Sequence, residues 1–358
     1  MAGSDASTAR ARLTPGSEPT HRSEVTIDLG AIRRNARTLL RALAGAELWA
    51  VVKANGYGHG AVDVARAALD AGATALCVAT VAEALELREQ LRGARVLVLG
   101  PTDEPELRQA QQARLELVVP DGRLHEGVPV HLKLDTGMGR WGLAELPAPG
   151  EQVVGLMTHL ATADSDEAFA REQIGRFAHA TEPYAHLLRH AANSAAALRL
   201  PEARFDAARC GIALYGLSPF GDDAAADGLE AALSWTSRLA HVKRLAPGES
   251  TGYGRRFVAG RETWIGIVPV GYADGFRRDL TGTRVAIEDE LRPVVGTVSM
   301  DAFAVELRRE LPVGTPVTLI GPGVPAEAHA RVAGTINYEL VSRVEAGSAR
   351  ARRIVVDG

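Results

Sequence analysis

Between about residues 47 and 215, short apolar runs alternate with longer stretches in which apolar residues recur every three or four positions. The runs cover residues 48–52, 73–79, 95–99, 115–119, 128–134, 152–160, 187–192 and 205–212. They are too short for most helices and almost continuously apolar, which predicts strands buried on both faces. The intervening stretches, such as "GAVDVARAALDAGA" and "TVAEALELREQLRG", have the spacing of amphipathic helices. Eight such alternations predict an α/β chain built on a (β/α)8 TIM barrel. An open doubly wound sheet is the competing arrangement, but no glycine fingerprint opens the first unit.

From about residue 232 the pattern changes. "LSWTSRLAHVKRL", "ETWIGIVPVGYADG", "RVAIEDELRPVVGTVSMDAFAVEL" and "TPVTLIG" read as short strands punctuated by Gly, Pro and Asp. This predicts a C-terminal, mainly β domain over 232–358, after a barrel over 24–231. The first residues, "MAGSDASTARARLTPGSEPTHR", lack the apolar middle of a signal peptide, and residues 1–23 are expected to form a disordered tail.

Composition narrows the function classes. The chain has 358 residues, is 46% hydrophobic and 23% charged, and carries a net charge of −4. No basic field points to nucleic acid or to an anionic membrane, and no apolar stretch is long enough to span one. Its two cysteines, Cys77 and Cys210, sit in apolar runs without metal-ligand spacing. That usage fits a reducing, cytoplasmic setting and no metal centre.

The chemistry of an eight-fold barrel gathers where its strands end. The first predicted strand ends in Lys53, inside "AVVKANGYGHG", with Tyr57 close behind. The fifth ends in "KLDTGMGRWG", giving Lys133 and Arg140; the sixth in "MTHLATAD", giving His159. The seventh ends near Ser194, and the eighth in "ARCGIALYG", giving Arg209 and the backbone at Gly211 and Ile212. Taken singly, each has an ordinary reading: a solvated lysine, a core histidine, a turn. Together they form a cationic set with little carboxylate, suited to an anionic ligand. Loops after the seventh and eighth strands often bind phosphate in this fold. A lysine that forms Schiff bases beside a phosphate site fits pyridoxal phosphate. Glycines 56, 58 and 60 would let the first loop pass close to such a ligand.

These segments, with "ANSAA", "RCGIALYGLSP", "GYADG", "VSMDAF" and "TINYEL" in the same order, resemble the alanine racemase family from about residue 24 to the end. The resemblance implies a pyridoxal 5'-phosphate enzyme that interconverts L- and D-alanine and supplies D-alanine for peptidoglycan. It implies a homodimer whose sites are each completed by the partner's β domain. It makes Lys53 the lysine that holds the cofactor aldehyde and one of two bases, with Tyr253 as the other. It places Arg209 at the pyridine nitrogen and Tyr57, Ser194, Tyr338, Gly211 and Ile212 at the phosphate. Arg140 lies near the phenolate and the substrate carboxylate, and His159 lies beside Arg209 and Tyr253. Met300, Asp301 and Tyr272 fall at the substrate site or its entrance, and Lys133 matches a lysine that is carbamylated in some members. Two positions depart from the family pattern: Gly252 stands where Ser is usual, which would loosen Tyr253, and Ser299 where Cys is frequent. Related readings are a serine or broad-range racemase, a barrel-fold amino-acid decarboxylase and a non-catalytic pyridoxal-phosphate binding protein. Arg209 opposes the decarboxylase, which places an acidic residue at the ring nitrogen. Tyr253, Met300 and Asp301 on a second domain oppose the binding protein.

Overall fold

The computed structural model describes residues 21–347 and 349–358. Among these, eight parallel strands close into a barrel: β2 (Glu47–Val51), β3 (Ala75–Val78), β4 (Val96–Val98), β5 (Glu116–Val119), β6 (Val130–Lys133), β7 (Val153–Met157), β8 (Leu188–His190) and β9 (Ala207–Cys210). The ring closes through β2 and β9, where Glu47 pairs with Ala207 and Ala50 with Cys210. Seven of the eight strands fall inside one of the apolar runs, and β2 starts one residue early at Glu47, because strands packed inside a barrel and mostly covered outside are largely buried on both faces. Helices Ala61–Asp70, Val81–Gln90, Glu104–Gln112 and Glu167–Thr181 cover the barrel. Two of them begin with reciprocal caps, Thr80 with Glu83 and Asp103 with Glu106, which satisfy backbone N–H groups that a helix start leaves bare. The connections after β5 and β6 contain no α-helix.

The N-terminal strand β1 (Ser23–Asp28) belongs to the second domain's sheet, not to the barrel. It pairs antiparallel with Leu233–Arg238 and parallel with Ala351–Val356. Ser23, expected at the end of the tail, opens this strand and is buried; the rest of that tail, up to residue 20, lies outside the described residues. Asp28 then caps helix Leu29–Leu43, accepting from the Ala31 N–H at 3.1 Å. The sheet holds nine strands, and its inner face (Val25, Ile27, Trp235, Val285, Val305) continues the barrel's apolar core. Helices Ala326–Ala333 and Asn337–Val341 turn back from the sheet toward the barrel mouth. No helix among the described residues is long and apolar enough to cross a membrane. Cys77 and Cys210 are buried free thiols, and burial raises both pKa values to about 12.

Candidate active site

A cavity of about 800 Å³ opens at the C-terminal end of the barrel. It is lined by Lys53, Tyr57, Lys133, Arg140, His159, Ser194, Arg209, Gly211 and Ile212 from the barrel, and by Tyr338 from the C-terminal domain of the same chain. The strand-end residues expected from sequence therefore converge on one space.

Lys53 is held by an unusual backbone. Ala54, Asn55, Gly56 and Tyr57 all have φ between +50° and +62°, a single left-handed turn. Such a turn costs roughly 1–2 kcal/mol per non-glycine residue, so its surroundings must over-determine it. The Gly56 N–H donates to Val52 O at 2.9 Å, and the Gly60 N–H to Asn55 O at 2.9 Å. The Asn55 side chain accepts from the Ala61 N–H at 3.0 Å. Glu83 clamps the start of the turn: one carboxylate oxygen accepts from the Ala54 N–H at 2.7 Å, the other from the Ala79 N–H at 2.7 Å. Gly58 serves packing more than ligand access, since a Cβ there would strike the Val341 carbonyl. Gly211 does face the site, and a Cβ on it would collide with the Tyr57 hydroxyl.

Burial, then the nearby Arg140 guanidinium, pushes the Lys53 pKa down, against an opposing pull from Glu83. Lys133 is buried, and its side-chain amine makes no hydrogen bond among the described residues; burial, with repulsion from Arg140 and Arg209, lowers its pKa to about 8. Its amine lies 5.7 Å from the Trp141 ring centre, and Arg140 stacks 5.0 Å from the same ring. The loop that carries Arg140 and Trp141 is ordered by Asp135, which accepts from the N–H groups of Gly137, Met138 and Gly139 at 2.9–3.1 Å.

Arg209 is buried and almost fully committed. Nη1 donates to His190 Nδ1 at 2.7 Å and to His190 O at 3.0 Å. Nη2 donates to Thr158 O at 2.9 Å, His159 Nδ1 at 3.2 Å and Ala191 O at 3.2 Å. A guanidinium has five N–H groups and no acceptor, so the Nε–H is the one left over for the cavity. Because Arg209 can only donate, His190 accepts at Nδ1 and carries its proton on Nε2. Burial, then the Arg209 charge, holds His159 and His190 well below the ordinary imidazole range, so both are neutral.

Elsewhere in the cavity lining the Ser194 hydroxyl oxygen accepts from the Gly211 N–H at 3.0 Å and from the Ala213 N–H at 3.4 Å, leaving its own proton free to donate. Ile212 begins a 3-10 turn, so its N–H has no partner within that turn. Tyr57 and Tyr338, with ring centres 6.1 Å apart, bring two phenols to the same corner. These donors form a pocket for a compact dianion.

Tyr253, Tyr272, Met300 and Asp301 do not line this cavity. All four are exposed on the C-terminal domain, Tyr253 by 73%. Tyr272 and Met300 lie on adjoining backbone: Tyr272 N–H donates to Ser299 O and Ala273 N–H to Met300 O, both at 3.1 Å. Asp301 accepts from Arg350 at 2.6 Å. Gly252, expected to loosen Tyr253, instead suits it. Its φ of +80° favours glycine, a Cβ there would crowd the Thr297 backbone, and the Thr297 hydroxyl donates to Tyr253 O at 2.9 Å.

Sequence reading missed Glu83, His131, His190 and Glu116. His131 sits two residues before Lys133 on the same strand, and therefore on the same, inward face. That spacing was the available signal.

A closed parallel barrel with an amine and two guanidinium groups at its mouth, joined to a sheet domain carrying an exposed tyrosine, is placed among the barrel-type amino-acid racemases by its matches to known proteins. Residues 27–219 match the family model "Alanine racemase, N-terminal domain", and residues 232–355 match "Alanine racemase, C-terminal domain". The chain belongs to the alanine racemase family. It is 42% identical over 345 residues to the alanine racemase of Geobacillus stearothermophilus, covering 88% of this chain and 89% of that protein. It is 38% identical to that of Lactiplantibacillus plantarum, covering 94% and 98%. The solved biosynthetic alanine racemase of Pseudomonas aeruginosa superposes with a TM-score of 0.87 at 37% identity, over 94% of this chain and 100% of that one.

Proposed function

We propose that this chain interconverts L- and D-alanine with bound pyridoxal 5'-phosphate, as a cytoplasmic homodimer that supplies D-alanine to peptidoglycan. The observation that carries the cofactor assignment is Arg209, whose four Nη hydrogens are taken by the protein while its Nε–H is left for the cavity. An aromatic nitrogen acceptor fits that donor, and the Ser194, Gly211, Ile212, Tyr57 and Tyr338 corner fits a phosphate. When bound, the cofactor supplies electron withdrawal that acidifies the substrate Cα–H. A guanidinium cannot protonate the ring nitrogen as an acid would, and Arg209 thereby restrains that withdrawal and favours simple proton return over side reactions.

Inversion needs a proton removed from one face and returned to the other. Lys53 Nζ, its pKa held down by burial and Arg140, serves one face. Tyr253 Oη serves the other, contributed by the partner subunit; its exposure and its absence from the cavity of its own chain support that assignment. Met300, Asp301 and Tyr272 reach the substrate in the same way. Arg140 receives the substrate carboxylate. Lys133, buried, near-neutral and flanked by two guanidinium groups, carries a carbamate that pairs with Arg140.

The test is Cα hydrogen exchange in heavy water with chiral analysis, offering L-alanine, L-serine and L-lysine separately. Exchange with inversion of alanine alone supports the proposal. Equal inversion of serine or lysine makes the chain a broad-range racemase, and carbon dioxide release makes it a decarboxylase.

A further inference from the structure

A polar column runs through the otherwise apolar barrel interior, from the N-terminal end of β5 to Arg209. Glu116 accepts from Arg95 Nε at 2.8 Å and contacts His131 Nε2 at 2.9 Å. His131 Nδ1 meets His190 Nε2 at 2.8 Å, and His190 Nδ1 meets Arg209 Nη1 at 2.7 Å. His131 and His190 are fully buried. Trp49 packs against both rings, its ring centre 5.8 Å from that of His131 and 4.6 Å from that of His190. Arg95 covers the outer face of Trp49 at 4.7 Å.

Chemistry at the two ends fixes every proton between them. A carboxylate only accepts and a guanidinium only donates. Arg209 therefore donates to His190 Nδ1, His190 Nε2–H donates to His131 Nδ1, and His131 Nε2–H donates to Glu116. Both imidazoles are neutral and share one tautomer. Burial raises the Glu116 pKa, but the bonds from His131 and Arg95 outweigh it and hold the carboxyl below the usual range.

We propose that Glu116, acting through His131 and His190, is a positioning residue for Arg209: it sets the direction of the hydrogen-bond column and so fixes which guanidinium N–H faces the cavity. The role for Arg209 rests on the function proposed above; the direction of the column does not.

Glu116→Gln tests this with little change of shape. Arg95 can only donate, so it claims the amide oxygen and leaves the NH2 group facing His131 Nε2. His131 must then accept at Nε2 and donate from Nδ1. His190 is driven to donate from Nδ1, against Arg209 Nη1, which also donates. His131→Gln is the contrasting variant. Its amide NH2 donates to Glu116 and its oxygen accepts from His190 Nε2–H, so the direction is kept although the ring is lost.

The experiment reads imidazole 15N shifts in the full-length protein, with and without pyridoxal phosphate, alongside cofactor affinity. In the wild type, His131 and His190 are expected as neutral Nε2–H tautomers. In Glu116→Gln, a reversed or mixed tautomer is expected at His190, with cofactor affinity down roughly tenfold, about one hydrogen bond. In His131→Gln, the His190 tautomer is expected unchanged, with affinity within about threefold of wild type. A purely structural role predicts the opposite order, with the isosteric Glu116→Gln mild and the ring deletion severe. That order, a doubly protonated His131 in the wild type, or an unchanged His190 tautomer in Glu116→Gln would overturn the proposal. If the tautomers respond as expected but cofactor affinity does not follow, the column exists and the role given to Arg209 fails.

Discussion

Glu83→Gln is the sharpest probe of how Lys53 is held. The Glu83 carboxylate takes the Ala54 N–H on one oxygen and the N–H groups of Ala79 and Thr80, at 2.7 and 3.3 Å, on the other. An amide has one acceptor oxygen, so one side of this clamp must then face an NH2 group. A hydrogen bond to a charged group contributes about 1.5–3 kcal/mol. Glu83 is half-buried, which places the loss near the lower figure. The expected destabilisation is about 2 kcal/mol, read as a shift in the urea midpoint. The left-handed turn at Ala54, Asn55 and Tyr57 then has less to offset its roughly 1–2 kcal/mol per residue. A second readout separates charge from shape. Glu83 raises the Lys53 pKa, so its neutralisation lowers that pKa further. In cofactor-free protein, the pH midpoint for labelling Lys53 with an amine reagent should move down. A change in stability below about 0.5 kcal/mol, typical of a surface substitution, together with an unmoved labelling midpoint, would refute this account of the turn.

Further outcomes follow from the same geometry. Tyr253→Phe should suppress Cα exchange from one alanine enantiomer far more than from the other, measured in heavy water; equal, mild losses would exclude two bases on opposite faces. Gly211→Ala should weaken cofactor binding about tenfold or more by driving a Cβ against the Tyr57 hydroxyl, as titration of the cofactor-free protein would show. In bicarbonate-free buffer Lys133 has a folded pKa of about 8 against an ordinary value near 10.4, so the unfolded chain binds more protons between them. Stability relative to Lys133→Met should therefore rise from about pH 8 to 10, by up to about 1.4 kcal/mol per unit, and be flat below that window. Adding 13C-bicarbonate at neutral pH should produce a carbamate carbon signal that Lys133→Met lacks.

The barrel was legible because its strands are largely buried on both faces, so each of the eight left a mostly apolar run. The converging side chains were legible because a barrel places strand ends together whatever the sequence between them. The location of Ser23–Asp28 was not. "SEVTID" alternates like any half-exposed strand, and its neighbours, Leu233–Arg238 and Ala351–Val356, lie more than two hundred residues away. The left-handed turn had a partial signal in Asn55, Gly56 and Gly58, but Ala54 and Tyr57 adopt it only under the tertiary restraint of Glu83 and the packing around them. His131 and His190 were missed because, inside apolar runs, each reads as an isolated core histidine; only the closed barrel stacks them between Glu116 and Arg209. The absence of Tyr253 from the cavity that holds Lys53 cannot be read locally either, because it depends on how the sheet domain is set against its own barrel.

Subunit complementation tests most directly whether two subunits build each site. Lys53→Ala and Tyr253→Phe chains, each inactive alone, would be unfolded together and refolded as a mixture. If Lys53 and Tyr253 meet across the interface, a hybrid dimer holds one site with both residues intact. Random pairing then returns about a quarter of wild-type activity, by the two-fold symmetry of the dimer. No recovery, with hybrid dimers shown to be present, would mean that Tyr253 does not act on the partner's Lys53 and would contradict the proposed active site.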